Sequence, residues 1–216
     1  TTIKSGAFEG GNLTSISIPK TITKIESAIL AFAETTNMNA VYITDLEAWL
    51  NITFEGEDDF MYPSNPLHYA HHLYLNGEEI KDLVIPNNIS TIGDRVFLGA
   101  NALTSVTFHN GITSIGRSAF TRCTSLTSVT IGNSVTYISG SAFQECTGLT
   151  SVTIGNSVTS IDDYAFYGCS GLASVTIPNS VKGIGSYAFY NCSSLTSVNL
   201  PNSLVAIGVS AFENTT

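Results

Sequence analysis

A pattern that returns every 23 residues constrains this chain more than any other feature. Leu103, Leu126, Leu149, Leu172 and Leu195 open successive units, with Ile80 before them. Three residues on stand Leu83, Val106, Val129, Val152, Val175 and Val198, and two beyond those Ile85, Phe108, Ile131, Ile154, Ile177 and Leu200. A second apolar pair follows, as in Val135 with Ile138 and Val158 with Ile161. Each unit then closes on Ala-Phe, as in Ala119-Phe120, Ala142-Phe143 and Ala165-Phe166. A fixed period of this length marks a stacked array, whose coils are each too small to bury their own apolar residues and bury them against the coils on either side. The expected fold is an α/β solenoid: a right-handed coil with a parallel β-sheet face, short second strands and short helical turns.

The period divides the chain into three stretches of one continuous solenoid. Residues 80–216 are regular. Residues 1–35 hold a partial first repeat, with Ile3, Ala7 and Phe8 in its closing half, and a degraded second one that places Ile29-Leu30 in the Ala-Phe slot. Residues 36–79 break the period. There Met38, Val41 and Ile43 predict a strand, and Thr44-Asp45-Leu46-Glu47 has capping-box spacing for a short helix through Trp49 and Leu50. Asn76-Gly77 predicts a hairpin. Because it begins inside a repeat and stops at Thr216 after a completed coil with no polar cap, the chain reads as a fragment cut from a longer array.

Charge and composition remove several function classes. A formal net charge of −9 with 8 Lys+Arg leaves no basic stripe to neutralise phosphates, so nucleic acid is not expected as a partner. No apolar run approaches the roughly 18 residues of a membrane span, so this segment is not expected to insert into a membrane. With 43% apolar and 12% charged residues, the chain has the material for a folded core.

Reactive side chains follow the repeat and not a catalytic motif. Gly-x-Ser-x-Gly, a Walker loop and His-Glu-x-x-His are all missing from the sequence, so no enzyme activity and no cofactor are expected. Cys123, Cys146, Cys169 and Cys192 are one period apart and should stack roughly 5 Å from each other. Ala33, Ala100 and Thr215 fill the same slot, which points to small buried free thiols and not to metal ligands or disulfides. His68, His71 and His72 invite a metal reading, but Pro63 and Pro66 limit any helix there; these side chains should instead tie the irregular stretch to its neighbours. Glu55 to Asp59 lacks the spacing of a calcium loop and reads as a solvated acidic tip. Sequons at Asn12, Asn51, Asn88, Asn191 and Asn214 matter only in a host that glycosylates secreted proteins.

Two surfaces remain as candidate contact sites. The residues between the inward-facing ones of each opening strand form ladders of small hydroxyls: Ser105 with Thr107, Ser128 with Thr130, Ser151 with Thr153, and Ser174 with Thr176. Tyr164 and Tyr187 are in register near the Ala-Phe turns, as are Tyr167 and Tyr190; exposed tyrosines are favoured at contact surfaces.

A unit such as LTSVTIGNSVTSIDDYAFYGC, residues 149–169, resembles the BspA-like leucine-rich repeats, whose pattern runs L-x-S-V-T-I-P-x-S-V-T-x-I-G-x-x-A-F-x-x-C. Departures are Gly132 and Gly155, where the family often has Pro, and Leu30 in a Phe slot. The resemblance implies a cell-surface or extracellular protein of the kind found in gut and oral bacteria and some parasitic protists. It further implies adhesion to a protein or glycan on host or neighbouring cells. A passive spacer displaying another domain is the alternative. An ice-binding solenoid is a remote third reading, suggested by the regular Ser-x-Thr ladders.

Overall fold

The computed structural model describes residues 1–8, 10–26, 32, 37–56 and 64–215. It is a β-solenoid of stacked coils. On its first face the strands Asp82–Val84, Ser105–Thr107, Ser128–Thr130, Ser151–Thr153, Ser174–Thr176 and Val198–Asn199 pair in sequence order as one parallel sheet. Two-residue strands from Thr91–Ile92 to Ala206–Ile207 form a second parallel sheet in the same order. Each strand pairs with its equivalent one period away, Val129 with Val152 and Val152 with Val175. The 23-residue repeat is thus the register itself.

The core is the repeat seen in section. Phe97, Phe120, Phe143, Phe166 and Phe189 are fully buried, and successive rings stack at 5.2–5.4 Å. Phe212 continues the column from Phe189 at 5.2 Å. At the other end Phe8 stacks on Phe32, also at 5.2 Å. The ring in that coil is therefore Phe32, two residues beyond the regular slot; Ile29, Leu30 and Ala33 lie outside the described residues.

The turns that close each coil differ from the expected short helices. Ser118, Phe120 and Arg122 donate their backbone N–H to Gly140, Ala142 and Gln144 of the next coil, while Ala119, Thr121 and Cys123 bond three residues back within their own. Ser118 and Arg122 have φ of 53° and 62°. This left-handed conformation cannot propagate a right-handed helix, so the face becomes a third inter-coil ladder built from tight turns. Regular secondary structure among the described residues is accordingly almost all β, and the described α-helices, α1 (Leu46–Leu50) and α2 (Leu67–Ala70), both lie in the irregular stretch.

That stretch joins two groups of strands. Ser15–Ile18, Ala40–Ile43 and Leu73–Leu75 are parallel, and Glu78–Glu79 pairs antiparallel with the last of them around Asn76-Gly77, as the turn residues predict. Asp45, not Thr44, caps α1, accepting from the Ala48 N–H at 3.0 Å. Among the described residues, no strand before residue 80 pairs with a strand after it. Side chains span the junction instead: Trp49 Nε1 donates to the Val96 carbonyl, and Asn65 donates to the carbonyls of Arg95 and Val96.

Gly155 explains one departure from the repeat pattern. A Cβ there would stand 2.4 Å from the Gly132 carbonyl oxygen, so the two coils approach as closely as they do only because position 155 carries no side chain.

Candidate functional site

The opening strands place the hydroxyl ladders on the solvent side of the first face. Ser128, Ser151 and Ser174 align across the sheet, as do Thr130, Thr153 and Thr176, and all are exposed, while Val129, Val152 and Val175 between them are buried. Ser105 and Thr107 extend both rows. The serine row ends on a charge, since Ser105 Oγ donates to Asp82 Oδ1 at 2.6 Å. On the strands of the irregular stretch the threonine position is taken over by tyrosine. Tyr42 and Tyr74 are register partners with ring centroids 5.0 Å apart. Tyr42 was legible as the outward residue between Val41 and Ile43; Tyr74 was not, because the broken period hides its register.

The turn face carries the other candidate. Tyr164 stacks on Tyr187 at 5.1 Å and Tyr167 on Tyr190 at 5.2 Å. Tyr164 and Tyr167 are 5.7 Å apart within one coil, and Tyr187 and Tyr190 5.6 Å in the next, so the four rings tile a continuous patch. Tyr164 and Tyr187 sit at φ of 60° and 58°, where neighbouring coils have Ser118 and Ser141. Arg95, Ser118, Ser141 and Ser210 fill the same slot in the same conformation, so the rings are not what the coil needs in order to close. Burial raises the Tyr167 phenol above its usual range, with the nearby Tyr190 and Glu145 adding to the shift.

The cysteines and histidines are occupied structurally. All four cysteines are free and buried, and each thiol donates to a phenylalanine carbonyl of the preceding coil, as Cys146 Sγ does to Phe120 at 3.1 Å. Burial pushes Cys146 and Cys192 up to about 12, and Cys123 and Cys169 well above the usual thiol range. The three histidines diverge. His71 bonds through Nδ1 to the Gly99 carbonyl at 3.1 Å, and His72 pairs with Glu79. His68 is half-buried, and its burial, with Arg122 and His71 nearby, pulls its pKa down to about 4. Among the described residues, no three His, Cys, Asp or Glu side chains are placed to hold a metal ion together. Of the acidic tip, Glu55 pairs with Lys24 at 2.7 Å, and Glu57 to Asp59 lie outside the described residues.

A groove of ≈ 530 Å³, which no sequence signal marks, opens where α2 meets the regular turns. Its end wall is His68, Tyr69 and His71; its floor crosses three coils through Asn101, Arg122 and Glu145. Gly99 makes the closure possible, since a Cβ there would lie 2.8 Å from the His68 Cα. No described helix is long and apolar enough to cross a membrane.

Comparison with known proteins gives a consistent picture. The family model for the BspA type leucine rich repeat region matches in six copies, over residues 1–126, 69–170 and 113–216. Among solved structures, a leucine-rich repeat protein from Bacteroides ovatus is 27% identical with a TM-score of 0.61, the match covering 99% of this chain and 50% of that one. A leucine rich cell surface protein from Faecalibacterium prausnitzii is 28% identical with a TM-score of 0.52, covering 92% and 42%. A leucine-rich repeat protein from Eubacterium ventriosum shares the fold at 22% identity and a TM-score of 0.64, covering 100% and 62%. The chain thus spans between 42% and 62% of the length of these three structures. No curated protein matches it.

Proposed function

The chain belongs to the BspA-type leucine-rich repeat family, and from that premise we propose that it is a non-enzymatic recognition module, displayed at a cell surface or outside the cell, that adheres to a protein or glycan of a host or neighbouring cell. The observation that carries this reading is the four-tyrosine patch. Its rings are stacked and held by the turn ladder, so little side-chain freedom is lost on contact, and each combines an apolar face with a polar tip. The fold does not require them: Ser118, Ser141 and Ser210 stand in the slot of Tyr164 and Tyr187, and Thr121, Gln144 and Glu213 in that of Tyr167 and Tyr190. The cell-surface designation of the Faecalibacterium protein supports the proposed location. The hydroxyl ladders of the first face offer a second, flatter platform on the same scaffold.

The test is binding of the purified chain to extracellular-matrix proteins, host-cell surfaces and glycans, with Tyr164→Ser/Tyr187→Ser and Thr130→Lys/Thr153→Lys double variants alongside. Saturable binding lost in the tyrosine variant is expected. Loss only in the lysine variant would move the contact to the sheet. No binding across the panel would overturn the adhesion reading in favour of a passive spacer.

A further inference from the structure

Building on the recognition reading, we propose that the groove between α2 and the turns is a binding site for an uncharged oligosaccharide. The lining defines the chemistry. Its ionised groups, Arg122 and Glu145, are paired with each other at 2.8 Å, so the groove presents no net charge to attract an anion or a cation. His68 remains neutral at physiological pH.

What the lining does offer is aromatic faces and side-chain hydrogen-bonding groups. His68 and Tyr69 meet edge to face at 5.0 Å, forming an aromatic wall. Thr124 and Thr147, one coil apart, expose their hydroxyls along the rim. The Asn101 amide nitrogen donates to the carbonyls of Gly99 and Arg122. Glu145 leans over Gly168, where a Cβ would come within 3.3 Å of its Cγ, and so links the groove to the Tyr167–Tyr190 stack in the following coils. A pyranose ring has the complementary surface: an apolar C–H face to lie on an aromatic ring and hydroxyls that both donate and accept.

A peptide is the competing occupant, and the backbone argues against it. The main-chain N–H groups of Gly99, Arg122 and Glu145 are already bonded to Thr121, Gln144 and Tyr167 in the next coil. No strand edge is therefore available at the floor for an extended peptide to join. Specificity has to come from side chains, which suits a ligand whose recognisable groups are hydroxyls.

The experiment is titration of the chain with short neutral oligosaccharides of gluco, galacto and manno configuration, with their sialylated and sulfated counterparts and a library of extended peptides as comparators. Two variants accompany it. Thr147→Trp fills the groove from an exposed position and leaves the core untouched, which an unchanged melting curve verifies. Glu145→Gln keeps the shape and removes the carboxylate acceptor. We expect saturable binding of at least one neutral sugar, weakened about tenfold or more by each substitution. Sugar binding that survives Thr147→Trp overturns the site, as does binding confined to charged glycans or to peptides. Cell or matrix adhesion that persists in Thr147→Trp while no neutral sugar binds sinks this site and leaves the recognition module standing.

Discussion

At the scale of single residues, the repeat explains which side chains are interchangeable and which are not. Cysteine occurs at its slot because a small group fits and because its thiol reaches the phenylalanine carbonyl of the preceding coil. The small-residue reading was open to the sequence, since alanine and threonine share the slot; the hydrogen bond was not, since it joins residues 26 apart. With thiols raised to about 12 and no solvent access, labelling at neutral to mildly alkaline pH should be negligible in the native protein and complete on unfolding. Ready labelling of native protein would contradict this burial. Phe143 makes a harder demand, because its ring contacts one above and one below at 5.4 Å. Phe143→Ala should cost about 3–5 kcal/mol, measured by denaturant unfolding, with faster amide exchange in the coils on both sides. An unchanged transition would show that the column is not the core.

At the scale of elements, the strands were legible and the turns were not. Alternation of inward Val and outward Ser and Thr predicts the first face directly, and Asn76-Gly77 predicts the hairpin, because each rests on chemistry within a few residues. The helical reading of the turns holds only in part: bonds three residues back are present, but left-handed residues such as Ser118, Arg122, Ser141 and Glu145 interrupt them and are not the glycines that would announce it. Their conformation is imposed by bonds to the next coil. The same non-local origin hides the groove: α2 is placed by Asn65, His71 and the absence of a side chain at Gly99, none of which forms a motif. This packing has a pH signature. His68 in the folded protein has a pKa near 4, below the ordinary histidine value of 6.5, so between these limits the unfolded chain binds the extra proton. Its contribution is complete above about pH 6.5 and is lost as the pH falls toward 4. Urea unfolding from about pH 7 to about pH 4 should therefore show the parent losing stability relative to His68→Gln; parallel curves would mean that α2 does not hold His68 out of water.

At the scale of the whole molecule, stability is set by interfaces between neighbouring coils, and one interface is built differently from the rest. From Asp82 onward the coils are joined by two sheets and a turn ladder, so separating any two breaks backbone hydrogen bonds on three faces. At the junction before it the two groups of strands do not pair among the described residues, and the connection passes through Trp49, Asn65 and His71. A one-dimensional array fails first at its weakest nearest-neighbour term. Asn65 is the residue to test, because it is fully buried and makes three bonds: two to the carbonyls of Arg95 and Val96 and one from the Leu67 N–H. Asn65→Ala leaves that N–H buried without its acceptor and should weaken the junction by about 1–3 kcal/mol without touching the coils beyond it. Trp49, the sole tryptophan, sits at the junction and reports on it by fluorescence, whereas circular dichroism reports the stack as a whole. In the parent the two signals should change together, and in Asn65→Ala the fluorescence should change at lower denaturant, which breaks the coincidence expected of two-state unfolding. If both signals shift together by the same amount, the junction is as cooperative as the regular coils, and side chains couple the two groups of strands as tightly as a backbone ladder would.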